Sequence, residues 1–105
     1  MHSVPDKAEV TIDFPDKLYM GSFGRDCGYE VKAEDDGILI RLVSPGEQKR
    51  IVEIHLHHFL FANILDDIAA SLAARQPIDD IHRKPLLEAA RCFCVALEQT
   101  VPPRD

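Results

Sequence analysis

From Ala8 to His57 apolar residues recur at every second position, and from about His58 onwards they recur every third or fourth. The first period belongs to strands, whose side chains alternate between two faces; the second belongs to helices with one apolar stripe. In AEVTIDF, Val10, Ile12 and Phe14 point one way and Glu9, Thr11 and Asp13 the other, until Pro15 and Asp16 break the pattern. KLYMGSF reads as a second, weaker strand, and GRDCG as a turn before YEVKA, where Tyr29, Val31 and Ala33 alternate with Glu30 and Lys32. EDDG then leads into ILIRLV. An Asp-Gly pair between alternating runs predicts a tight hairpin whose turn residues take positive φ. After the Pro-Gly turn in SPGEQ, KRIVEIHL places Val52, Ile54 and Leu56 on one face, in parity with Ile38, Ile40 and Leu42 across the loop. Glu53, His55 and His57 fall on the other face, with Leu39, Arg41, Val43 and Ile51.

Beyond His58, Phe61, Ile64, Leu65, Ile68 and Leu72 form the stripe of an amphipathic helix that runs to about Arg75 and stops at Gln76-Pro77. IDDIH predicts one helical turn, with Asp79-Asp80 capping its start. Pro85 is placed to open a second helix over 85–99, ended by Val101-Pro102-Pro103. Leu86, Ala90, Phe93 and Leu97 make that helix's central stripe, with Cys94 at its core edge and Val95 on its polar side. The order predicts an α+β fold: a four- to five-stranded antiparallel sheet over residues 8–57, then two C-terminal helices packed on one face. Val52, Ile54, Leu56, Phe61, Leu65, Ile68, Phe93 and Leu97 are expected to share one core.

Size and composition narrow the class. A chain of 105 residues fits one domain, 1–105, and its 46% hydrophobic content is too high for disorder. No apolar run approaches the roughly 20 residues of a membrane helix, and MHSVPDKAEV lacks the basic start and apolar core of a signal peptide. The odd set Cys27, Cys92 and Cys94 gives no disulfide framework, which together with the preceding points makes a cytoplasmic location the expectation. The net charge of -6 opposes a general affinity for phosphate backbones, although residues 17–57 are nearly neutral and leave room for a local basic face.

Candidate chemistry is sparse. His55 and His57, two apart on a strand, project on one face and can share a metal ion; His58, Glu53, Asp66, Asp67 or His82 would have to complete the set. The alternative is that the three histidines merely mark the join between strand and helix. Cys92 and Cys94 diverge by about 200° on a helix and have no base beside them, so neither reads as a nucleophile. Asp35-Asp36 reads as a turn and Asp66-Asp67 as the outer face of a helix, while GSFGRDCG has no phosphate-loop spacing. No cofactor and no enzymatic activity are expected.

The face opposite the expected core carries Leu39, Val43 and Ile51 beside Arg41, His55 and His57. Apolar side chains rimmed by charge point to an interface, and two-fold self-association is the simplest form of it. The segment YEVKAEDDGILIRLVSPGEQKRIVEIHLHHFLFANILDDI, strands with a glycine hairpin followed by an amphipathic helix, resembles the ββββα unit of PUR repeats and related single-strand-binding transcriptional coactivators. The resemblance covers about residues 18–75 and rests on element order. It implies dimers of paired units and a sheet that binds single strands through basic and aromatic side chains, with Lys32 and Arg41 in the basic role. The leading expectation is a small non-enzymatic binding or adaptor module that forms a homodimer. Single-stranded nucleic-acid binding, and metal binding through His55 and His57, are the alternatives.

Overall fold

The computed structural model describes residues 1–99, so the Val101-Pro102-Pro103 stop lies outside the described residues. The elements are β1 (His2–Ser3), β2 (Ala8–Phe14), β3 (Lys17–Phe23), β4 (Gly28–Glu34), β5 (Gly37–Ser44), β6 (Arg50–His57), α1 (His58–Ala73) and α2 (Asp80–Glu98). This is the expected α+β order, an antiparallel sheet followed by two helices. The chain divides into two compact units, Met1–Asp66 and Asp67–Asp105, and the boundary falls within α1.

In the first unit, β1, β4, β5 and β6 form one antiparallel sheet in that order, while β2 and β3 pair separately as a two-stranded hairpin. Pro15-Asp16 makes the turn of that hairpin, closed by Phe14 opposite Lys17; proline presets the φ that a turn's first corner needs. β1 was not visible in the sequence, because two residues show no periodicity. It pairs His2 with Tyr29 and Ser3 with Gly28.

The β4–β5 hairpin has the predicted position and a different cause. Its two turn residues are Asp35 and Asp36, between Glu34 and its partner Gly37, and among the described residues the only positive φ belongs to Gly46, at 124°. Gly37 is needed for space. A Cβ there would run into the Leu56 carbonyl oxygen and the His57 Cα, so only glycine lets this end of β5 lie so close to β6. Gly46 supplies the left-handed corner of the five-residue loop between Ser44 and its partner Arg50.

Register divides the sheet cleanly into two faces. One face stacks Tyr29, Leu42 and Val52 in one row, Val31, Ile40 and Ile54 in the next, and Ala33, Ile38 and Leu56 in the third. Only the first row is well covered. Val4, Phe23 and Cys27 form the buried cluster of this unit, and Val10, Tyr29, Leu42 and Val52 pack against it. The Val4 N–H donates to the Cys27 carbonyl at 3.0 Å, which ties the N-terminal segment across that cluster. At the other rows Val31 is 55% exposed and Ile54 43%.

In the second unit α2 begins at Asp80, five residues before Pro85. The Asp79 carbonyl accepts the N–H groups of His82 and Arg83 at 3.1 and 2.8 Å, so the IDDIH turn is the first turn of α2 itself. Pro85 sits inside the helix, where it has no N–H to give the Ile81 carbonyl. Arg83 pairs with Asp80 at 3.0 Å one turn on.

The stripes expected to share one core exist, and several of their residues are exposed. Ile54, Leu65, Ile68, Phe93 and Leu97 are all exposed, and no residue of α1 or α2 is buried. Cys94, expected at the core edge, is exposed as well. Periodicity records that a face is apolar; it does not say that the same chain will cover it.

Candidate functional site

The polar face of the sheet gathers the residues singled out in the sequence. Its rows, read across β4, β5 and β6, are Gly28–Val43–Ile51, Glu30–Arg41–Glu53, Lys32–Leu39–His55 and Glu34–Gly37–His57. The four cross-strand rows do different work.

The Gly28 row is closed by the N-terminus. Val43 is buried, and a Cβ on Gly28 would collide with the Met1 side chain, so the first residues of the chain lie over this corner. Of the apolar residues expected at an interface here, Val43 is therefore occupied within the chain, Leu39 is half-buried, and Ile51 alone is exposed.

The middle row is an ion triad. Arg41 Nη1 donates to Glu30 Oε1 at 3.3 Å, and Arg41 Nε lies 3.3 Å from Glu53 Oε1. The second contact is at ion-pair distance but lacks hydrogen-bond alignment, which leaves the buried Nε–H without a directed partner. Cross-strand opposite charges of this kind stabilise the pairing of β4, β5 and β6. Held between two carboxylates, Arg41 has little charge left for phosphate. Lys32, the other basic residue of the nucleic-acid reading, stands exposed one row away.

The last two rows bring His55 and His57 together with Asp36. The imidazole rings have centroids 4.7 Å apart and are inclined by 39°. His55 Nε2 lies 3.2 Å from Asp36 Oδ1, and His57 Nε2 lies 4.0 Å from Asp36 Oδ2. One ligand atom from each of the three residues falls within 4.8 Å of the others. Three local features create this cluster. The i, i+2 spacing puts both histidines on one face; the pairing of Gly37 with His57 sets the β4–β5 turn beside them; and the bare Gly37 backbone lets Asp36 approach.

Asp36 is the residue that sequence reading passed over. It is the turn residue that the sequence predicts, and the register that pairs Gly37 with His57 also carries it to the histidines. Of the partners considered from sequence, Asp66 and Asp67 are not in this cluster, and three have contacts elsewhere: Glu53 with Arg41, His58 with the Asp35 carbonyl at 3.2 Å, and His82 with Asp79 at 2.8 Å. In that last pair the hydrogen bond from the His82 side chain holds the Asp79 carboxyl below its ordinary range.

Cys27 is buried in the small cluster of the first unit, its thiol 3.5 Å from Asp26 Oδ1, while Cys92 and Cys94 are exposed on α2. A groove of about 290 Å³ runs between the β2–β3 hairpin and the start of β6, lined by Val10, Ile12, Tyr19, Phe23 and Val52 among others. Its walls are largely apolar, and the charged group at its rim is Arg50.

Compared with known proteins, the chain matches no family model, and no curated protein or solved structure is detectably similar to it. No helix among the described residues is long and apolar enough to cross a membrane.

Proposed function

We propose that this protein is a small non-enzymatic interaction module that works as a homodimer, a second copy covering the apolar face of the sheet. The observation that carries this reading is the inversion of its core. Among the described residues four hydrophobic side chains are buried, Val4, Phe23, Cys27 and Val43, whereas twenty large ones are exposed. Single exposed apolar residues are normal on a monomer; here Val31 and Ile54 are both exposed on one sheet face, with Ile38, Ile40 and Leu56 half-buried around them. Obligate dimer interfaces resemble a domain core cut in half, and that is the character of the rows Val31–Ile40–Ile54 and Ala33–Ile38–Leu56.

Charge permits a second copy as the occupant. Each chain carries a net charge of -6, so repulsion between two copies is least where they meet on a surface free of carboxylates. The nine residues of the apolar face include no ionisable group other than the Tyr29 phenol. A self-complementary apolar surface also suits the isologous contact of a two-fold dimer, the commonest closed assembly. In the second unit the exposed stripes of α1 and α2, Ile68 and Leu72 on one and Leu86 and Leu97 on the other, add surface of the same kind. This reading sets the association surface on the face opposite Leu39 and Ile51, because theirs satisfies part of its polarity with its own ion pairs.

Sedimentation equilibrium of the purified chain tests the reading. The expected mass is twice the 11.8 kDa of one chain. A folded particle of 11.8 kDa at all concentrations up to about 100 μM, far above the dissociation constants of stable dimers, overturns it.

A further inference from the structure

We infer that Asp36, His55 and His57 form a binding site for a divalent first-row transition-metal ion, held by two imidazoles and one carboxylate with solvent in the remaining positions. The inference is independent of the dimer, because the cluster lies on the opposite face of the sheet. The donor set is the first argument. Imidazole nitrogen suits zinc, copper, nickel and cobalt, and a carboxylate beside two imidazoles supplies charge to offset that of the ion.

Geometry is the second argument. Donors bound to one ion at 2.0–2.2 Å stand roughly 3–3.5 Å apart. The separation of His55 Nε2 from Asp36 Oδ1, 3.2 Å, already meets this, and the 4.0 Å between His57 Nε2 and Asp36 Oδ2 exceeds it by only about half an ångström. All three side chains are partly or largely exposed, so small rotamer adjustments close the set without moving backbone. The backbone itself is fixed: His55 and His57 are anchored in β6 by its pairing with β5, and Asp36 by a two-residue turn whose next residue, Gly37, abuts Leu56 and His57. A site presented from paired strands is pre-organised, which lowers the ordering cost of binding.

The alternative role for these residues is a plain ion pair between Asp36 and a protonated histidine. One histidine would serve for that. Two imidazoles beside the two oxygens of one carboxylate, with one ligand atom of each residue within 4.8 Å of the others, are an arrangement that a shared cation can use.

The test uses the full chain, freed of any affinity tag and stripped with chelator. Equilibrium dialysis against Zn²⁺ should give one ion per chain, and Co²⁺ should bind with a visible d–d spectrum that Zn²⁺ abolishes. His55→Gln, His57→Gln and Asp36→Asn should each raise the Zn²⁺ dissociation constant at least about tenfold, the loss that follows removal of even an indirect support of a metal ligand. His2→Gln should leave it unchanged. Far-UV circular dichroism checks that each variant is folded. For any that is not, imidazole ¹⁵N resonances of the wild type give the same reading: Zn²⁺ should shift those of His55 and His57 and spare those of His2. Absence of stoichiometric Zn²⁺ or Co²⁺ binding overturns the site. So does binding that survives loss of both histidines, or that is unaffected by Asp36→Asn in a folded protein.

Discussion

The two faces of the β4–β5–β6 sheet are made by alternate residues of the same strands, yet they solve opposite problems. On one, Arg41 pairs with both Glu30 and Glu53, and Asp36 faces two histidines; several of its charges find partners inside the chain. On the other, Val31, Ile40 and Ile54 can be satisfied only by more apolar surface, and Val31 and Ile54 remain open. Polar groups can be paired locally by a neighbouring strand, whereas an apolar face needs a second layer. The difference is what the proposed dimer rests on: the polar face pairs several of its charges with neighbouring strands, while Val31 and Ile54 on the apolar face stay exposed.

The largest effect that sharpens this contrast is expected at Phe23, which is 1% exposed and anchors the one covered row of the apolar face. Phe23→Ala should cost about 3–5 kcal/mol in denaturant unfolding, because it opens a cavity at the centre of the small buried cluster. A loss below about 1 kcal/mol would mean that the cluster is not where the first unit gains its stability.

A smaller loss belongs to the polar face. Arg41→Ala removes the cation between Glu30 and Glu53 and leaves two carboxylates facing one another across β5. Since all three side chains are partly exposed, about 1 kcal/mol is expected, shrinking further as salt is added. The same change should leave the mass of the assembly unaltered; dissociation would place the contact on the polar face after all.

The smallest effect lies in the second unit and is read by pH. Because the Asp79 carboxyl is held below its ordinary value by His82, the interaction favours folding at pH above the unfolded carboxylate value of about 3.9 and is lost as pH falls through the lowered folded value. Carboxyl ¹³C titration should find Asp79 below 3.8, and His82→Ala should move it upward. An unchanged midpoint in that variant would remove the hydrogen bond as the cause.

Much of the architecture was legible because alternation and helical spacing are local. Strands β2 to β6, the β4–β5 hairpin and the change of period at His58 all follow from residues near one another in sequence. Element starts were harder to read. Pro85 looked like the first residue of a helix because proline favours that place, yet Asp79 had already begun the turn by accepting two backbone N–H groups through its carbonyl. Burial was harder still: the stripe of Leu65, Ile68 and Leu72 reads the same whether its cover comes from this chain or another. Asp36 was hidden for a third reason, since its place beside His55 and His57 depends on the register of two strands and on the side chain that Gly37 lacks.

Ile51 and Ile54 sit on the same exposed edge strand, three residues apart and on opposite faces, and both are exposed to a similar degree. Sedimentation velocity of Ile51→Asp and Ile54→Asp beside the wild type therefore asks directly which face meets the second copy. A carboxylate desolvated in an apolar contact weakens association by several kcal/mol, so Ile54→Asp should sediment as a monomer while Ile51→Asp keeps the wild-type dimer. Dissociation of Ile51→Asp with a dimeric Ile54→Asp would contradict the account.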